Sequence, residues 1–463
     1  MMNYLINVYY VRYLFIVLGI SLCMQFFYIY KLIPFNIDGY QLGFGFGSYI
    51  ENLVEHGEFK SHCWKYFTNQ EETCLRSSRM PALPLTLAPF VKLGLDQASI
   101  AFLKSTIFHL LTFIFFVFLI GKLTSQKQRF GAVTILALIY LSPMYSKHLT
   151  SITYEEGFIY WIFPQFFLCI VICSIDLLKK ELPQTTREIT WASLLAIGTT
   201  LFCFKSSMIL LLGVCYTLIA LLTFQGRMSR NLFLVLILSL FVIGSWGLHN
   251  FLESGRITLS SSWNGENLYR GNNFDGYKIY PDVSLDRLWD SELIRKSSGE
   301  LISIKKQTSY TGFINEWYWN DYYKSLALQW AVENPIQWVK FFLKKFYVMF
   351  IGVEFTPHKV GALEHDNMTG PLKDLIVFVS LGSIRLLQII FIFLSLHAVI
   401  YGQRENRLLV LVMFCSIAAY TIPYLIGFAY ERHVSGLLPL LLIFNSFLWS
   451  RLKKINFLKL VSK

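Results

Sequence analysis

Apolar residues run through this chain in blocks close to 20 residues long, separated by short basic links or by longer polar stretches. Blocks of that length outrun ordinary core helices and match roughly 30 Å of hydrocarbon at about 1.5 Å of rise per residue. The pattern predicts spanning helices over 10–30, 99–121, 130–146, 157–177, 190–204, 208–224, 231–251, 377–401, 408–428 and 434–450. A further stretch, 336–355, is apolar but interrupted by Lys340, Lys344 and Lys345, and reads as an amphipathic helix at the outer membrane interface. Read as a span, it would invert everything after it. The first block is too long for a signal-peptide core and has no small-residue cleavage site, so it is expected to remain as a helix. The fold class predicted is an all-α polytopic membrane protein of about ten transmembrane helices, with large extracytoplasmic loops that carry interfacial helices.

Composition agrees with the pattern: 54% of the 463 residues are hydrophobic, 17% aromatic and only 15% charged, and the mean hydropathy is +0.48. A soluble protein has no use for that much apolar surface. The net charge of +12 would suit nucleic acid, but the basic residues cluster just past the ends of apolar blocks. Membrane lipids and orientation rules account for them there, so no nucleic-acid partner is expected.

Ten crossings put both termini on one side, and alternate connections then sort by charge. Lys122, Lys127 and Arg129, then Lys179, Lys180 and Arg187, then Arg227 and Arg230, then Arg404 and Arg407, and the tail from Arg451 to Lys463 form the basic, cytoplasmic set. The outward set holds 31–98, 147–156, the turn at Lys205, 252–376 and 429–433. The chain thus divides into an N-terminal transmembrane module (1–251) with the first extracytoplasmic loop (31–98), a large extracytoplasmic loop (252–376), and C-terminal helices with a basic tail (377–463). Cys63 and Cys74 are the two cysteines outside the apolar blocks, and an oxidising compartment would let them close a small ring.

The outward links carry the candidate chemistry. Asp38 follows the first span, and Arg79, Pro81 and Pro84 precede the second, so an acid and a base stand at the two roots of one loop. A carboxylate there can act as general base, and a guanidinium suits phosphate bidentately. Tyr154, Glu155 and Glu156 open the fourth span; adjacent carboxylates point to different helix faces, and acids at a helix N-terminus are also ordinary dipole partners. Lys205, followed by Ser206 and Ser207, sits between two apolar blocks, where it must snorkel or meet an anion. The run 246–273 mixes His249, Asn250, Arg256, Asn264, Asn267, Tyr269 and Asn272 with glycines, a composition suited to hydroxyl-rich or phosphate-bearing ligands. Glu431, Arg432 and His433 fill the last outward link, and cations at that depth need Glu431 or a bound anion.

In this order the motifs resemble those of polyprenyl-phosphate-sugar-dependent glycosyltransferases of the GT-C class, the protein mannosyltransferase and aminoarabinose transferase-like superfamily. The resemblance rests on Asp38 after the first helix, the R-x-P-x-x-P run at Arg79, Tyr154 and Glu155, the run from Trp246 to Asn272, Glu333-Asn334-Pro335 before an amphipathic helix, and Glu431-Arg432-His433. It covers nearly the whole chain. His249 stands where these proteins commonly have arginine, and the long soluble C-terminal domain of many relatives is missing. The resemblance implies a bacterial cytoplasmic membrane enzyme of cell-envelope glycan assembly. Its donor is a polyprenyl-phosphate sugar, its acceptor a lipid, glycan or protein, and its active site faces the exterior.

On that reading Asp38 deprotonates the acceptor hydroxyl, which attacks the anomeric carbon with inversion, and Glu155 holds the sugar or acceptor or assists Asp38. Arg79, Lys205, His249, Arg256, Arg432 and His433 are candidates for holding the lipid phosphate, whose charge builds in the transition state. Tyr154, Glu156, Asn264, Asn267, Tyr269 and Asn272 are candidates for sugar or acceptor. No cofactor is demanded, although two carboxylates could bind a divalent metal. A polymerase or ligase of lipid-linked oligosaccharides would look alike in sequence. A flippase would need ionisable residues deep in the spans, and only Lys104, His109, Arg385 and His397 qualify, with no acidic partner.

Overall fold

The structure, a computed structural model, describes residues 46–64, 73–123, 155–180, 182–226, 228–283, 313–350, 388–397, 404–429 and 432–437, with residues 293–295 and 301–303 and scattered single positions. Among these, five helices are long and apolar enough to cross a membrane, which marks the chain as a membrane-embedded, predominantly helical protein. They lie in α3 (Gln97–Leu123), α4 (Glu156–Lys179), α6 (Ile209–Gln225 with the turn Ser206–Met208 before it), α7 (Arg230–Ser254) and α13 (Arg404–Ile426). Of the ten expected spans, 10–30, 130–146, 377–401 and 434–450 fall wholly or partly outside the described residues. The span expected at 190–204 lies in α5 (Gln184–Phe204), whose polar first turns lower its hydropathy.

Two small helices precede the bundle, α1 (Gly47–Glu55) and α2 (Ala82–Lys92), with the hairpin β1 (Cys63–Trp64) and β2 (Thr73–Cys74) between them. The expected disulfide joins Cys63 to Cys74, which pair directly across the hairpin.

The bundle core is aromatic and aliphatic, with Phe163, Phe166, Trp191, Leu195, Leu211 and Tyr420 fully or nearly fully buried between α4, α5, α6 and α13. Gly198 lets α5 approach α6 closely, since a Cβ there would meet Cys215 Sγ at 2.7 Å. Hydroxyls in these apolar surroundings bond back to their own helix, as Thr199 does to the Leu195 carbonyl (2.8 Å) and Ser174 to that of Ile170 (2.7 Å). Ser229 opens α7 by accepting from the Leu232 amide (3.1 Å), and Gly255, at φ +71°, closes it in the left-handed conformation.

A second layer is built from α8 (Asn264–Arg270), α9 (Phe274–Ile279), the strands β3 (Leu293–Arg295) and β4 (Leu301–Ser303), α10 (Glu316–Glu333) and α11 (Pro335–Phe350). Helix α8 packs on α10 through Gly265, whose amide donates to Asn320 Oδ1 (2.8 Å); a side chain at Gly265 would overlap the Asn320 carbonyl. Asn315 opens α10 by accepting from the amides of Trp317 (3.0 Å) and Tyr318 (3.1 Å). The amphipathic helix expected over 336–355 is α11, described to Phe350. Beyond it come α12 (Gln388–His397), within the span expected at 377–401, and α14 (Arg432–Ser435) after α13.

The helix ends sort as alternating crossings require. The start of α4, the end of α5, the start of α6 and the end of α13 meet at one end, beneath the second layer, around a cavity of about 730 Å³. The end of α4, the start of α5 and the start of α7 meet at the other, around a cavity of about 280 Å³ where Arg187 pairs with Asp176 (2.7 Å).

Candidate functional site

The larger cavity is lined by Arg79, Glu155, Glu156, Lys205, Asn264, Asn267 and His433, residues that the sequence offered from separate outward links. Each arrives by a different local device. Glu155 precedes α4, its carbonyl accepting from the amides of Phe158 (3.0 Å) and Ile159 (2.9 Å). Lys205 leaves the helix in extended backbone between α5 and the turn Ser206–Met208.

Glu316 sets the position of Arg79. Its buried carboxylate accepts from the amides of Arg76 and Ser77 (3.0 Å each) and from Ser262 Oγ (2.6 Å), and the Ser262 amide donates to the Ser77 carbonyl (2.9 Å). Two segments far apart in sequence are thereby tied side by side. Arg79 then lies over the rings of Trp263 (3.9 Å) and Phe46 (4.9 Å). Burial pushes the Glu316 carboxyl above the usual range, against the three donors that favour its charge.

At the cavity's inner wall Lys205 Nζ donates to Glu156 Oε1 (2.6 Å), and His433 Nε2 lies 3.5 Å from the same oxygen. The His433 ring stacks on Tyr424 (3.9 Å between centroids), and its carbonyl accepts from the Tyr420 hydroxyl. Burial alone would disfavour the Lys205 charge, but Glu156, Tyr424 and Glu155 outweigh it and hold the ammonium above the ordinary lysine range. Burial raises the Glu155 carboxyl, with Lys205 pulling the other way. Two adjacent carboxylates therefore differ: Glu156 is committed to a buried ion pair, and burial lifts the Glu155 carboxyl above the usual carboxylate range.

Other residues singled out in the sequence stand elsewhere. His249 Nε2 donates to the Arg76 carbonyl (2.9 Å) and its ring stacks on Trp246 (5.0 Å), and Arg256 pairs with Asp321 at the surface. Tyr269 packs against Tyr323 (5.1 Å). Asn272 donates to the carbonyls of Leu268 (2.7 Å) and Ile426 (2.5 Å) and accepts from Trp338 Nε1 (2.8 Å). None of these four lines the cavity. Asp38 and Tyr154 lie outside the described residues, as does the side chain of Arg432.

The cavity also holds residues that sequence reasoning passed over: Arg270, Lys324, Asn320 and Tyr424. Arg270 pairs with Glu266 one turn earlier and lies over Phe428 (5.4 Å). It sits inside the motif run, where its spacing from Glu266 was the available signal. Tyr424 lies within an apolar span and carried no signal. Among the described residues no group of three or more His, Cys, Asp or Glu is gathered as a metal site.

The cavity is amphiphilic. Cations and Glu155 share it with Leu259, Leu268, Phe428 and two pairs of partly exposed apolar residues, Ile209 and Leu210 on α6 and Ile422 and Ile426 on α13. Such a lining suits a molecule with an anionic head and an apolar tail. No protein-family model matches this chain, and no curated protein matches it in sequence.

Proposed function

We propose that this chain is a membrane glycosyltransferase that moves a sugar from a polyprenyl-phosphate donor to an acceptor on the extracytoplasmic side, with inversion. One observation carries the reading: a single amphiphilic cavity at one end of the apolar bundle gathers Arg79, Glu155, Lys205, Asn264 and His433 from five separate stretches of chain. The apolar residues of α6 and α13 at its rim give a lipid tail a way out towards the bilayer.

The acceptor hydroxyl gives its proton to a carboxylate, for which Asp38 is the sequence's candidate, and its oxygen bonds to the anomeric carbon. The bond from that carbon to the phosphate oxygen breaks, and its electron pair stays on the lipid phosphate. Arg79 is the cation best suited to that phosphate, since its flat guanidinium is held on Trp263 and Phe46. Lys205 works from behind: bound to Glu156, it adds a positive end at the inner wall while the pair stays neutral. Glu155, protonated more readily than an ordinary carboxyl, can donate to or accept from a sugar hydroxyl.

The test is transfer by the purified full-length chain in nanodiscs, offered radiolabelled polyprenyl-phosphate sugars and membrane extracts as acceptor. Label should move to an acceptor with release of polyprenyl phosphate. Label that stays on every lipid donor, with no donor bound, overturns the reading. Consumption of an oligosaccharide donor instead would make the chain a polymerase or ligase.

A further inference from the structure

Helices α4 to α7 meet, at the end away from the larger cavity, around the polar hollow of about 280 Å³, and one charged group there is incompletely matched. Asp176, in the last turn of α4, is only 3% exposed. Its Oδ2 pairs with Arg187 Nε (2.7 Å), but its Oδ1 is buried and accepts from no group among the described residues. Trp191, fully buried on α5 and lining the same hollow, has an indole N–H with no acceptor among them. The other acid in the wall is served, since Glu188 accepts from Gln184 Nε2 (3.0 Å). Lys180 and Arg187 bring two positive charges to the same wall. A buried carboxylate oxygen without a donor is costly, so this wall is complete only with a partner.

A second hollow, of about 340 Å³, adjoins the first, and Met228 lines both. Its walls are Ile219, Ala220 and Phe224 of α6 and Leu236 of α7. Thr223 gives its hydroxyl to its own helix, at the Ile219 carbonyl (2.9 Å), which keeps that stretch of wall apolar. From Tyr216 to Phe224 this groove runs about 12 Å along α6, at about 1.5 Å per residue. Helices α6 and α7 are two of the five long and apolar enough to cross a membrane, and Phe224 is 90% exposed, so the groove faces acyl chains.

We propose that the two hollows together bind one phospholipid whose headgroup ends in a primary ammonium, with the head in the polar hollow and an acyl chain in the groove. The charges decide the head. A plain anion would suit Lys180 and Arg187 but face Asp176, and a plain cation would meet the reverse conflict. A head of both signs fits: its ammonium donates to Asp176 Oδ1, and its phosphate accepts from Arg187, Lys180 or the Trp191 indole. A quaternary ammonium has no N–H to give. The hollow also exceeds by far the roughly 10–15 Å³ that a single water needs. Bound there, the lipid ties the end of α4 to the neighbouring ends of α5, α6 and α7. The site is separate from the larger cavity and does not rest on the glycosyltransferase reading.

The test is native mass spectrometry of the full-length chain, delipidated in detergent and offered equal amounts of phosphatidylethanolamine, phosphatidylcholine and phosphatidylglycerol with the same acyl chains. One ethanolamine lipid should stay bound per chain, preferred over the other two by at least about tenfold, the worth of one hydrogen bond to a charged group. Asp176→Asn should abolish that preference. Ala220→Trp, at an exposed position where the new ring fills the groove, should release the lipid while circular-dichroism melting shows the chain folded. This second variant decides the case if Asp176→Asn does not fold. Equal binding of the three lipids by the unaltered chain, as expected if the polar hollow holds only water, overturns the proposal. Retention of the ethanolamine preference by either folded variant overturns it too. Displacement of the lipid by an equal concentration of glycerophosphoethanolamine, which has the head and no acyl chains, would show that the groove takes no part and would overturn the lipid assignment.

Discussion

Lys205 Nζ stands 2.6 Å from Glu156 Oε1, joining the end of α5 to the start of α4 inside the bundle, with only 2% of the Glu156 side chain exposed. Removing one partner leaves the other charge buried. Glu156→Leu or Lys205→Met should each cost about 3–5 kcal/mol in unfolding free energy. The joint change Glu156→Leu with Lys205→Met should recover most of that, since an apolar pair needs no desolvation. Intrinsic-fluorescence melting in detergent measures the cycle, and additive losses would show that the pair is not coupled.

Glu155 gives a pH dependence. Burial lifts its folded-state carboxyl above the ordinary glutamate value of about 4.5, so the folded chain keeps a proton that the unfolded chain has lost. Its contribution to stability is therefore present below that value and is lost as pH rises through the raised one. Glu155→Gln should remove that slope. In a transfer assay the same substitution should shift or erase the acid limb of the pH profile, and an unchanged profile would remove Glu155 from the mechanism.

Lys345 is buried with backbone carbonyls as its acceptors, and burial pushes it down to about 7. Between that value and about 10.5 the unfolded chain binds a proton that the folded chain does not. Stability should therefore climb as pH rises from about 7 to about 10.5 and lie flat below. Lys345→Met should flatten the climb and lower stability at all pH, because three carbonyls lose their donor. Chemical denaturation in detergent across that range reads both effects.

Close backbone approach makes two glycines irreplaceable. A Cβ at Gly271 would overlap the Gly427 carbonyl, and one at Gly265 the Asn320 carbonyl. Gly271→Ala and Gly265→Ala should each lose more than about 3 kcal/mol or fail to accumulate folded. Gly57→Ala is the control. It meets open space but keeps a φ of +70°, so about 1 kcal/mol is expected.

Two basic candidates from the sequence should separate in a donor-binding assay. Arg79→Ala should weaken polyprenyl-phosphate affinity by roughly 10- to 100-fold, the worth of one or two charge-assisted hydrogen bonds. His249→Ala should leave affinity within about twofold, because the imidazole serves the Arg76 carbonyl and Trp246. Equal losses in the two variants would contradict the division drawn here.

Block length and hydropathy alone determined that the chain lives in a membrane, where α4, α6, α7 and α13 run, and that α11 is amphipathic, because these properties depend only on neighbours within a few turns. The order of polar links likewise marked Arg79, Glu155, Lys205, Asn264 and His433. What the chain alone did not reveal is which of the marked residues meet. Glu156 and Lys205 are 49 positions apart, and Arg76 and Glu316 are 240. Only the tertiary structure decided that Glu316 ties the first loop beside Trp263, that Lys345 spans from α11 to the end of α13, and that His249 and Asn272 serve backbone carbonyls outside the cavity. The reason is physical: a buried charge or amide takes whichever partner packing brings within about 3 Å, and packing is set by side chains distant in sequence.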